Sequence, residues 1–270
     1  MAEDREVLRE IWEGRLPVCF TMAADEVSSP TAPDPFYLMI PRMTYFPLII
    51  DKVRRHFIRS LSSDKTDSEM WLEFEMKPLK WHLPVGLLYD LHVMDQSLPW
   101  QITIHFERFP ENKLMKFPAK DCVESYLMSC LKEADAMKHR NHIMSLMQER
   151  DHNQLWLGLL HDKFDQYWSV NRKLMEHTEE GFRHIPFRLY VPDLGSRPYI
   201  QFLIKPIEND RKNTLHDLIS RARTKNDIKD PFRIVAHGVE IPLDTPLQWM
   251  SEHLSYPDNF LHLCVTYYDR

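Results

Sequence analysis

The sequence predicts an α+β chain in which two copies of one small strand-and-helix unit flank a helix-rich insert, behind a short N-terminal helix. Three observations carry this. The order strand, strand, helix, strand, strand, strand over residues 16–106 recurs over residues 184–268. Between the copies, residues 119–177 keep helical periodicity with no proline and with Gly158 as the one glycine. A chain of 270 residues, 43% apolar and 27% charged, has the composition to bury a core in each part.

Residues 5–12 read as the first helix. In the first unit, LPVCFTM and FYLMIP form a strand pair. PLIIDKVRRHFIRSLSS sets Ile49, Val53, Phe57 and Leu61 on one helical stripe, with Pro47 tolerated in the first turn. MWLEFE, LKWH and WQITIHF then alternate at period two as strands. The second unit follows suit with HIPFRLYV, YIQFLIKPI, the helix TLHDLISRAR opened by a Thr214/Asp217 capping box, FRIVAHGVEI and FLHLCVTYY. HLPVGLLYDLH and DTPLQWMSEHLS each place a proline before a short helical turn, and an aromatic, Trp100 or Phe260, leads the strand that follows.

Five strands wrapped on one helix is the β-grasp arrangement of ubiquitin. The expected architecture is therefore two ubiquitin-like β-grasp domains, residues 15–108 and 184–270, flanking a helix-rich domain at 117–180, with the N-terminal helix in 1–14. The helical insert is expected to be a hairpin turning near residues 150–152.

Composition narrows the function. A formal charge of −6 argues against a nucleic-acid partner. No apolar run reaches membrane-spanning length, and the acidic N-terminus is unlike a targeting signal, so a cytoplasmic protein is expected. Cys19, Cys122, Cys130 and Cys264 lie far apart and read as reduced, mostly core thiols. Only six glycines occur, none in a phosphate-cradling motif, and no cofactor is called for. His139, His142, His152 and His161 lack a cysteine or carboxylate set at metal-ligand spacing and read as surface histidines, with no metal.

One position in SYLMSCLKEADAMKHR, residues 125–140, stands out. Val123, Leu127, Cys130, Ala134 and Met137 form the apolar arc of a helix, and Lys132 falls opposite, among Ser129, Glu133 and Asp135. Most such lysines are solvated surface. An exposed, protonated lysine is a poor catalyst, yet it suits an acceptor whose amine another enzyme's active site activates. A competing reading makes Cys130 or Cys122 the nucleophile of a cysteine hydrolase, although Cys130 lies on the apolar arc. A third is an unmodified ubiquitin-like adaptor.

SCLKEADAMKH, PLKWHLPVGLLYDL, DQYWSVNRKLME and TPLQWMSEHLSYPDNFLH resemble the autophagy protein 5 family, over nearly the whole chain. The resemblance implies a non-enzymatic acceptor of the ubiquitin-like modifier autophagy protein 12, joined by an isopeptide bond at Lys132. It also implies a groove for the N-terminal helix of autophagy protein 16. The assembly would be E3-like, working with E2-like enzymes to promote lipidation of autophagy protein 8, with recruitment to the preautophagosomal membrane. Arg42, otherwise a solvated strand-end charge, and Gly238, otherwise a turn glycine, are expected at that groove. Lys52, Arg54, Arg55 and Arg59, with His56, are expected to make one basic helix side capable of transient membrane contact.

Overall fold

The computed structural model describes residues 4–28, 31–61, 68–116, 120–192, 194–195, 197–224, 226 and 228–267. It divides into two compact units, residues 14–124 and residues 1–13 together with 125–270. The chain opens with α1 (Arg5–Glu13), whose Leu8 and Trp12 are buried. Trp12 packs its ring 5.0 Å from Tyr167 and 6.1 Å from Phe164, and Arg5 and Arg9 both pair with Asp165. The opening helix thus belongs with the C-terminal half of the sequence.

Residues 14–124 comprise β1 (Arg15–Met22), β2 (Phe36–Pro41), α2 (Phe46–Phe57), β3 (Trp71–Phe74), β4 (Lys77–Pro78), α3 (Val85–His92) and β5 (Trp100–His105). The strands order as β2-β1-β5-β3-β4, with β1 antiparallel to β2 and parallel to β5. Alternation along β5 buries Trp100, Ile102 and Ile104, and α2 buries Phe46, Val53 and Phe57, with the Phe46 ring 5.8 Å from that of Trp100. Each such side chain contributes roughly 1.5–3 kcal/mol by leaving water. LKWH is not a strand. Glu75 and Met76, both at positive φ, make a tight turn that starts β4 at Lys77. The chain turns again where the Leu83 N–H donates to the Lys80 carbonyl.

In the other unit, α4 (Lys120–His139, from Ser125 onward), α5 (His142–Leu146), α6 (Glu149–Leu160) and α7 (Phe164–Asn171) replace the expected hairpin. The reversal falls at Arg140 and Asn141, both left-handed, and residues 150–152 lie in the first turn of α6. β6 (Phe187–Tyr190), β7 (Ile207–Glu208), β8 (Arg211–Lys212), α8 (Leu215–Arg223), β9 (Phe232–Ala236), β10 (Val239–Glu240), α9 (Leu247–His253) and β11 (Leu261–Tyr267) complete it. Here the order is β10-β9-β11-β6, and the last strand runs parallel to the first, as β5 does to β1. That shared pairing is the repeat read from the sequence. The Thr214/Asp217 capping box forms at α8.

YIQFLIKPI departs from expectation. Ile200 pairs with Leu189, and Ile204 accepts from Ile185, but the ladder between them is broken. Gln201 instead donates to Glu133 and reaches Met137, both on α4. A segment that must meet the neighbouring helix gives up regular pairing.

Candidate functional site

The centre of interest is α4. Its inner side buries Leu127, Cys130, Leu131, Ala134, Asp135 and Lys138, while Lys132 is exposed. Among the described residues no hydrogen bond or ion pair engages Lys132. The stripe is broader than the sequence suggested, and Asp135 is a correction: expected beside Lys132 in water, it is 1% exposed. Its two oxygens accept from His139 Nδ1 and from the Met144 N–H, both at 2.8 Å, tying α4 to the start of α5. A carboxylate facing two donors stabilises the bend that ends the helix.

What pins α4 is a polar layer under an apolar one. Cys130 and Ala134 pack on Phe260. Arg188 of β6 lies 3.9 Å over the Phe260 ring, within 5.1 Å of Tyr199, and donates to Glu133 at 3.2 Å. Beneath, buried Asp258 accepts from His262 Nε2 at 2.8 Å, leaving His262 Nδ1 to accept from the Tyr190 hydroxyl. Burial alone would raise the Asp258 carboxyl, but His262 and Arg188 hold it below its usual range.

Lys138 reaches the same layer. Its Nζ donates to Asn259 Oδ1 and contacts Met175 Sδ, each at 3.2 Å, 4.5 Å over the Phe182 ring. Full burial pulls its pKa down to about 7, despite Glu252, Asp135 and Asp258 favouring the charge. Asn259 passes the chain of bonds to Asn171, and Asn171 to Tyr167, whose hydroxyl donates to the Pro257 carbonyl. The helix carrying Lys132 is thereby fastened along one side and open on the other.

Cys130 is placed as a packing residue, not as an activated nucleophile. Cys130 is buried, its pKa pushed up to about 11 by burial and Asp258, which is the wrong direction for a nucleophile. Cys122 is half-buried.

The remaining expected residues divide between the two units. Arg42 is not a solvated charge: 7% exposed, it donates to Asp90 at 2.5 Å and to the Gly86 carbonyl at 3.2 Å inside residues 14–124. An arginine at a strand end is ambiguous in sequence, and only the fold brings Asp90 beneath it. Gly238 belongs to the other unit, where His237 and Gly238 at positive φ form the two-residue turn joining β9 and β10. Of the basic helix side, Lys52, Arg55 and Arg59 are exposed, but Arg54 points the other way, donating to the Ser68 carbonyl near the Phe106 ring.

A groove of about 980 Å³ lies within the unit formed by residues 1–13 and 125–270. Val7 and Ile11 of α1 face Ala236, Val239, Ile241 and Trp249 across it, and Val239 and Glu240 follow Gly238 directly. Glu179, Glu240, Asp244 and Glu252 against Lys212 make its polar wall acidic. Sequence reasoning missed this site. The signal was present in REVLREIWE, where Val7 and Ile11 lie four apart, but nothing in sequence says which distant strand they meet.

Fold and site define a class: paired ubiquitin-like domains around a helical bundle that presents one unengaged lysine on a fastened helix. The family models described as Autophagy protein ATG5, UblA domain, alpha-helical bundle region and UblB domain match residues 11–106, 120–177 and 184–265. Autophagy protein 5 of Drosophila melanogaster is 50% identical over 273 residues, spanning 100% of both chains. Autophagy-related protein 5 of Caenorhabditis elegans is 34% identical, over 97% of this chain and 98% of its own. The crystal structure of Kluyveromyces marxianus Atg5 shares the fold, with a TM-score of 0.79 at 15% identity over 97% of this chain and 99% of that one. The chain belongs to the autophagy protein 5 family.

Proposed function

We propose that this chain is a non-catalytic acceptor and scaffold in autophagy, joined through the Lys132 amine to the C-terminal carboxyl of the modifier autophagy protein 12. The observation that supports it most is the exposure of Lys132 on a helix whose opposite side is locked by Arg188, Asp258 and Lys138. A lysine that is free to move but rigidly placed suits attack on a thioester held by an E2-like enzyme, whose leaving thiolate departs as the amine nitrogen gains the acyl carbon. The groove beside α1 suits the apolar stripe of the autophagy protein 16 N-terminal helix. The assembly then acts in an E3-like manner toward autophagy protein 8 lipidation, in the cytoplasm and at the preautophagosomal membrane.

Replacing Lys132 with Arg keeps the charge and the helix while withdrawing an amine that can be acylated. In cells supplied with the modifier, the higher-mass band on a denaturing gel is expected to vanish for Lys132→Arg. Its persistence would assign the bond to another lysine.

A further inference from the structure

β2 is the last strand on its side of the five-stranded sheet, paired with β1 and, among the described residues, with no strand beyond. Open edges are normally blunted by lysine, proline or a bulge, because a free row of N–H and C=O groups templates another strand. Phe36–Pro41 contains no charged residue, and its proline comes last. Tyr37 and Met39, on the outer face, are 64% and 59% exposed, whereas Ile40 on the inner face is fully buried.

Cations line the same edge. His56 of α2 meets the Asp34 carbonyl at 2.8 Å, and its ring lies 4.9 Å from that of Phe36, so this side of α2 abuts the start of β2. Lys52 and Arg55 share an arc of about 100° with His56 by helical spacing, and Arg59 follows in the 3-10 turn Ile58–Ser60 that continues α2. All three are exposed, and among the described residues none is ion-paired.

We propose that β2 is a docking edge for an extended peptide in which apolar and acidic residues alternate, added to the sheet as a further strand. Successive side chains of an added strand fall on opposite faces. Those on the outer face pack on Tyr37 and Met39 and must be apolar; those on the inner face meet Lys52, Arg55 and Arg59 and must be Asp or Glu. Main-chain bonds supply affinity, and the two rows supply specificity. A second copy of this chain fits poorly, since β2 has no acid to offer and two cation banks would oppose. A bilayer would use the cations but leave the strand edge unused.

The test titrates three labelled peptides into the full chain: Glu-Val-Glu-Phe-Glu-Val-Glu, the same pattern with Lys for Glu, and a block of four Glu followed by Val-Phe-Val. The first alone is expected to bind and to slow amide hydrogen exchange at residues 36–41. Changing Lys52, Arg55 and Arg59 together to Ser is expected to weaken it at least tenfold, as is Tyr37→Ser with Met39→Ser. Should the double variant fail to fold, the cation variant and the exchange map still decide. Equal binding of the other peptides overturns the proposal, as does protection outside β2. It is also overturned if the cation variant loses binding to phosphatidylserine vesicles while keeping the peptide, or if β2 proves to be covered by a dimer.

Discussion

Lys132 and Lys138 sit on one helix and meet opposite fates. Lys138 has an amine that burial brings near neutrality at pH 7, the better nucleophile by chemistry, yet it is enclosed; Lys132 is open. Access, not basicity, separates them. The titration of Lys138 also marks stability. Unfolded, a lysine keeps its proton to about pH 10.4; folded, this one releases it near pH 7. Between those values the unfolded state binds more protons, so stability rises with pH, by up to ~1.4 kcal/mol per unit. Below about pH 7 both states are protonated and the full cost of the buried charge applies. Denaturant titrations from pH 7 to 10 are expected to show that slope in the native chain and to lose it in Lys138→Met. The variant leaves Asn259 Oδ1 without its lysine donor, which costs about 1–3 kcal/mol against the relief of burying no ammonium. The exposure of Lys132 was legible from the helical period alone. The burial of Asp135 and Lys138 was not, because a polar residue goes inside only when distant partners, here Met144 and Asn259, are waiting for it.

At the level of elements, strand–helix order was readable because period two and period 3.6 are local signals, and turns were not. The reversal at Arg140 and Asn141 is announced only by an asparagine, and LKWH alternates like a strand although the preceding tight turn has already used up the hairpin. Gly158 is the most constrained joint. A Cβ there would fall 2.6 Å from the Tyr167 nitrogen and 2.8 Å from its Cα, so backbone of α7 would have to move. Gly158→Ala is expected to destabilise the chain by roughly 1–3 kcal/mol or more through overpacking, even though alanine favours helix. Equilibrium urea unfolding checks this; a variant as stable as the parent would mean that α6 and α7 separate freely. The irregular stretch at 201–205 shows the same limit in reverse, since its pull toward α4 comes from Glu133 and Met137, far away in sequence.

Across the whole molecule, the repeat was legible from sequence and its assembly was not. Residues 1–13 adjoin the first ubiquitin-like domain in sequence but pack with residues 125–270. Trp12 is the anchor, packed edge-on to Phe164 and tilted against Tyr167. Trp12→Ala is expected to cost about 3–5 kcal/mol, and to do so in residues 125–270 while residues 14–124 keep their protection. Hydrogen exchange resolved by peptide distinguishes the two; protection lost first in residues 14–124 would refute the assignment.

A unit stitched from segments on either side of another has consequences on the ribosome. α1 is made before residues 14–124, yet Tyr167 and α9, against which it packs, come only after them. At ~5–20 residues per second, the nascent helix waits on the order of ten seconds with an indole and a row of aliphatic side chains bare to water. Through that interval it is a natural client for chaperones, and the synthesis of α9 releases it.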